Sequence, residues 1–203
     1  MHKPTAPPKI YLAGPEVFLR RPNEMAEAKI AICAVHGLEG KFPVDPDPAI
    51  SSQSIQERAY AVFRANQALM DECDALVANL TPFRGPSMDV GTAYEIGYMR
   101  GKRGPVFGYS NSHLTLFDRT LKHDRKGFRR RKDAGGTMQF EDHDQLGVEQ
   151  FGLLENSMID GAIHESGGTI IARKTKRRDR YTDLVAFEEC VALAASVLLP
   201  DRG

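Results

Sequence analysis

Residues 74–102 read DALVANLTPFRGPSMDVGTAYEIGYMRGK, and three kinds of segment succeed one another within them. Positions 74–80 are largely apolar, as a strand is when helices cover both faces of its sheet. Positions 81–88 hold Gly85-Pro86-Ser87, which lets the chain turn sharply. Positions 89–102 then form a helix, with Asp89 where an N-cap is expected. A strand, a tight loop and a helix are the opening of a βαβ unit.

The same alternation continues in both directions. Upstream, KIYLA at 9–13 is a short apolar run closed by Gly14-Pro15, the pattern of a buried strand ending in a tight loop. In 22–36 the residues Met25, Ala28, Ile32 and Val35 recur at helical spacing, and Gly37 supplies the stop. FPV at 42–44 reads as a second strand running into Asp45-Pro46-Asp47-Pro48, where two prolines forbid helix and leave two carboxylates on a loop. A helix over 52–72 turns Ile55, Ala59, Val62, Phe63, Asn66 and Met70 inward, with Asn66 as a polar intruder. Downstream, PVFGY at 105–109 and TIIA at 169–172 read as strands, and 182–199 as the last helix. The chain is therefore expected to be one α/β domain: a doubly wound parallel sheet of about five strands, helices on both faces, with its ligand crevice at the carboxyl ends of the strands. Residues 111–150 break the alternation and read as an inserted, mobile loop. It carries the basic run RTLKHDRKGFRRRK (119–132) and the acidic FEDHD (140–144), and a second basic cluster, RKTKRRDR, occupies 173–180.

Composition narrows the partners. Lys+Arg and Asp+Glu are both 27 among 203 residues, so no bulk charge draws the chain to nucleic acid or membrane. Cys33, Cys73 and Cys190 are odd in number and far apart, without the spacing of a disulfide framework or a zinc site. No apolar run suits a signal peptide or a membrane span, and a cytoplasmic location is expected. Neither a metal nor an organic cofactor is expected.

The chemistry concentrates after strand ends. In VGTAYEIGYM (90–99) Glu95 is the single charge among otherwise uncharged, mostly apolar residues. Such a carboxylate is buried with partners or faces a cleft, because an unpaired buried one costs several kcal/mol. Gly91, one turn earlier, leaves open space on the same helix face. Taken singly, each feature has an ordinary explanation. Capping accounts for Asp89, an ion pair with Arg100 or Arg64 for Glu95, core packing for Tyr11, and solvated surface for the basic runs.

Taken together, ANQALMDECDALVANLTPFRGPSMDVGTAYEIG (65–97), KIYLAGPEVF (9–18) and VEQFGLLENSMI (148–159) resemble the nucleoside 2-deoxyribosyltransferase family, in that family's order and over roughly a third of the chain. The resemblance implies a flavodoxin-like fold. It implies Glu95 as the nucleophile that attacks the anomeric carbon, Tyr11 as the hydroxyl that orients it, and Asp89 as the ligand of the sugar 5'-hydroxyl. Gly14, Val17, Phe18 and Gly91 would border the substrate, with Val17 and Phe18 walling the base. Asn156 and Met158 would complete the site of a neighbouring subunit in a homo-oligomer (dimer, tetramer or hexamer). Some members carry Asp where this chain has Asn66; a neutral amide cannot donate the proton that the departing base needs, and Asp45 or Asp47 is the substitute.

The implied reaction moves 2-deoxyribose from a 2'-deoxynucleoside donor to a free nucleobase by two displacements with net retention. Two other readings stay open. One is a deoxynucleoside or deoxynucleotide N-glycosidase of the same superfamily, in which water takes the intermediate. The other is a non-catalytic nucleotide-binding sensory module, since flavodoxin-like domains also bind ligands without chemistry. A nucleic-acid role for the basic run at 119–132 ranks below both, because no aromatic interleaving accompanies the charge.

Overall fold

The computed structural model describes residues 6–43, 54–124 and 126–199. In chain order the elements are β1 (Lys9–Ala13), α1 (Pro22–Val35), β2 (Glu39–Lys41), α2 (Ile55–Asp71), β3 (Ala75–Asn79), α3 (Val90–Gly101) and β4 (Val106–Ser110). They are followed by α4 (Leu116–His123), β5 (Arg129–Lys132), β6 (Met138–Glu141), α5 (Ser157–Glu165), β7 (Ile170–Ala172) and α6 (Val185–Leu198). Five strands form one sheet in the order β2-β1-β3-β4-β7, with every pairing parallel. This is the flavodoxin-like order, and its switch point lies between β1 and β3.

Strand alternation sorts the core into two layers. Ile10 and Leu12 of β1, Val77 of β3 and Phe107 and Tyr109 of β4 pack with Ala26 and Cys33 of α1 and with Phe187, Cys190 and Val191 of α6. Tyr11 and Ala13, Leu76 and Ala78, and Val106 face the other way, onto Met70 of α2, Ile96 and Met99 of α3, and Ile163 of α5. The chain thus leaves β1 toward one face and β3 toward the other. That divergence opens the crevice at their carboxyl ends.

Four sequence expectations need revision. The second strand is 39–41, not 42–44: Phe42 is buried in the core just past the strand end, and Val44 lies outside the described residues. Helix α1 buries Met25, Ala26, Lys29 and Cys33, whereas Val35 is exposed, because a fully buried lysine sits on the face where the apolar spacing breaks. Helix α2 starts on a capping box, Ser54 with Glu57. Of its expected inward face only Met70 is buried; Ile55 and Phe63 are exposed, since most of this helix borders a cleft and solvent instead of the core. Finally, 111–150 contains the helix α4 and the antiparallel hairpin β5–β6, whose strand Arg129–Lys132 is wholly exposed.

Candidate active site

A cleft of about 890 Å³ opens where β1 ends and α3 begins, the place the switch point dictates. Gly14, Val17, Phe18, Asn66, Asp89, Gly91 and Glu95 all line it, together with Asn23, Glu27 and Val62. Asp45 and Asp47 lie outside the described residues.

The central contact joins two elements 84 residues apart in sequence. The Tyr11 hydroxyl, rooted in the buried middle of β1, donates a 2.6 Å hydrogen bond to Glu95 Oε1 on α3. Arg100 and Arg64 are not partners of Glu95 among the described contacts; its hydrogen bond comes from a neutral phenol. Burial, opposed by this bond and reinforced by the charge of Asp89, raises the Glu95 pKa to about 7. Burial and the adjacent carboxylate push Tyr11 well above the ordinary phenol range, so it keeps its proton. The result is a partly buried carboxylate, facing a cleft, with one oxygen oriented by a fixed donor.

Asp89 combines its two expected places. Its Oδ2 accepts from Thr92 N (3.0 Å) and Thr92 Oγ1 (3.1 Å), capping α3, while the residue also borders the cleft. A side chain at Gly91 would bring a Cβ within 3.0 Å of Asp89 Oδ2, so the glycine keeps room around Asp89 more than around Glu95. At Gly14 a Cβ would collide with Glu16 Oε2 and stand 2.9 Å from Asn79 Cβ, which explains why the chain turns out of β1 on glycine.

The short 3-10 turn Pro15–Phe18 carries Val17 and Phe18 to the cleft, and sequence reasoning missed what holds it. Lys29, with no exposed side-chain surface, donates to Glu16 Oε1 at 2.8 Å, and the Tyr109 hydroxyl donates to the same oxygen at 2.6 Å. Burial works against the Glu16 carboxylate, but the Lys29 charge and these two donors outweigh it and hold its pKa below the usual value. The ammonium also lies 4.7 Å from the Phe187 ring centre. The only hint in the sequence was a lysine on an apolar helix face. Beyond the turn, Phe18 stacks on Phe83 (5.4 Å between centroids), and Arg84 lies over both rings.

Residues 148–159 lead into the helix α5, which periodicity had not identified. Asn156 caps it, its side-chain oxygen accepting from Met158 N (3.0 Å) while its amide donates to Glu149 Oε1 (2.9 Å). Neither Asn156 nor Met158 lines the cleft of its own chain, and Met158 is 78% exposed. No group of three or more His, Cys, Asp or Glu side chains suited to a metal occurs among the described residues. Nor does any described helix have the length and apolarity to cross a membrane.

The profile of the nucleoside 2-deoxyribosyltransferase family matches residues 10–158, well over half of the chain. The chain belongs to the nucleoside 2-deoxyribosyltransferase family. Within the matched span lie Tyr11, Asp89, Glu95, Asn156 and Met158. A relative of this family member, an uncharacterized protein of Schizosaccharomyces pombe, is 32% identical over 176 residues, covering 83% of this chain and 82% of its own. Among solved structures, a 2-desoxiribosyltransferase from Leishmania mexicana superposes with a TM-score of 0.56 at 26% identity, over 75% of this chain and 85% of that one. A deoxyribosyltransferase-family sheet is thus present with the cleft at its switch point.

Proposed function

We propose that this protein transfers 2-deoxyribose between nucleobases through a covalent deoxyribosyl bond to Glu95. The observation that carries this reading is the 2.6 Å bond from the buried Tyr11 hydroxyl to a Glu95 carboxylate that faces the cleft. One oxygen is oriented by a donor that stays protonated, which leaves the other for attack.

In the first displacement a Glu95 oxygen forms a bond to C1' as the C1'–N bond breaks. The bonding pair leaves with the base, through an oxocarbenium-like transition state. In the second, a ring nitrogen of an incoming base attacks C1', the glutamate leaves as carboxylate, and the base loses its N–H proton. Asp89 takes the sugar 5'-hydroxyl, and Val17 and Phe18 wall the base. Asn66 lines the cleft but has no proton to give. The proton for the departing base therefore comes from a carboxyl group, Asp45 or Asp47, while Glu27 is a further acid bordering the cleft. No step calls for a metal or an organic cofactor.

Transfer also demands that water be kept from the intermediate. Asn156 and Met158, turned away from their own cleft, would close a neighbour's in a homo-oligomer. Incubation with deoxyinosine and adenine tests the reading. Formation of deoxyadenosine is the expected result; hypoxanthine and free deoxyribose without deoxyadenosine would make the protein a glycosidase. A ligand response that survives Glu95→Ala, with no turnover in the parent, would make it a binding module.

A further inference from the structure

The loop that delivers Asp89 to the cleft is fastened from behind. Ser87 Oγ donates to Glu155 Oε1 and Met88 N donates to Glu155 Oε2 at 3.2 Å, so one carboxylate grips both residues that precede Asp89. Glu155 has no exposed side-chain surface, and Arg119 of α4 holds it from the far side at 2.8 Å. Arg119 belongs to the basic run in which Lys122, Lys126, Arg129, Arg130, Arg131 and Lys132 are exposed, yet its own side chain is only 5% exposed. Its Nε and Nη1 are buried and make no hydrogen bond among the described residues.

Such a pair is a poor device for stability. Well-packed apolar residues of similar size commonly serve as well, and two buried donor nitrogens without partners among the described residues add a cost. What the pair supplies is direction. Two hydrogen bonds from adjacent residues to one fixed carboxylate set where the next residue enters α3, and that residue is Asp89. The same carboxylate also accepts from Asn156 N (3.3 Å), which ties the start of α5 to this loop.

We infer that Glu155, anchored by Arg119, is a positioning residue for Asp89, and so sets the enzyme's recognition of the donor's 5'-hydroxyl. This rests on the proposed function, in which Asp89 meets that hydroxyl. It also gives α4, in the segment that breaks the βα alternation, a part in the site.

The test compares 2'-deoxyinosine with 2',5'-dideoxyinosine as donors to adenine, in the parent, in Glu155→Gln and in the double variant R119M/E155L. The double variant leaves no buried charge unpaired, so it folds if the single change does not. Affinities for both nucleosides are measured in parallel by calorimetry on a Glu95→Ala background, independently of turnover. In both variants kcat/KM and affinity for deoxyinosine are expected to fall about tenfold, chiefly through KM, as when a hydrogen bond to a charged group is misaligned. Values for the 5'-deoxy donor should match the parent's within about twofold. Equal losses on both donors, or no loss on either, overturn the inference. A parent that exchanges no base, or that treats the two donors alike, contradicts the proposed function instead.

Discussion

The buried setting of Glu95 costs the fold stability once its carboxyl ionises. Its carboxyl ionises near 7 in the folded protein against 4.5 for an ordinary glutamate, so between those values the folded state holds the proton more tightly than the unfolded one. Stability from this group is therefore full below about pH 4.5 and is lost as pH rises through 7. Glu95→Gln should raise the melting temperature at pH 8 by roughly 2–4 °C while abolishing exchange; scanning calorimetry at pH 5 and pH 8 checks this, with the gain confined to the higher pH. If Glu95 is the nucleophile, kcat/KM of the parent should climb through an apparent pKa near 7 as its carboxyl ionises. Removing the Tyr11 donor takes away the hydrogen bond that, among the described residues, favours the ionised form. Tyr11→Phe should then move that apparent pKa upward by roughly one unit and cut exchange at pH 7 about tenfold.

At the scale of elements, the 3-10 turn Pro15–Phe18 is held by the Lys29, Glu16 and Tyr109 cluster beneath it. Lys29→Met strands a buried carboxylate and should cost about 3–5 kcal/mol in chemical denaturation, whereas Lys29→Met with Glu16→Leu should cost much less than the single change. Little of this could be read from sequence. β1, β3 and α3 are legible because each is declared locally, by an apolar run or by Asp89 at a helix start. The inward face of α2 is not, since Val62 and Asn66 answer to a cleft, and apolar spacing does not distinguish a cleft from a core. β2 was displaced because Phe42 packs as core without belonging to a strand. Glu155 with Arg119, and Glu16 with Tyr109, meet across 36 and 93 residues, where no local pattern points from one partner to the other. The cleft residues named from the sequence came chiefly from family resemblance; residue pattern alone reached Asp89, Gly91 and Glu95.

For the whole molecule, the surface around α5 is where a second copy would matter. Met158 stands 78% exposed beside Asn156, which caps α5 and donates its amide to Glu149. If sites are shared between subunits, Glu95→Ala and Asn156→Ala proteins, each inactive alone, should regain part of the exchange activity when unfolded and refolded together. Hybrid assemblies then contain one site with both residues intact. Mixtures no more active than their components would place Asn156 outside the neighbour's site.

Covalent catalysis by Glu95 is tested most directly by mass spectrometry of the protein after reaction with a 2-fluoro-2-deoxy nucleoside, whose electron-poor sugar slows the second displacement. A covalent mechanism predicts one fluorodeoxyribosyl group on the peptide that contains Glu95, discharged when free adenine is added. No adduct under turnover conditions, or an adduct on any other residue, would contradict it.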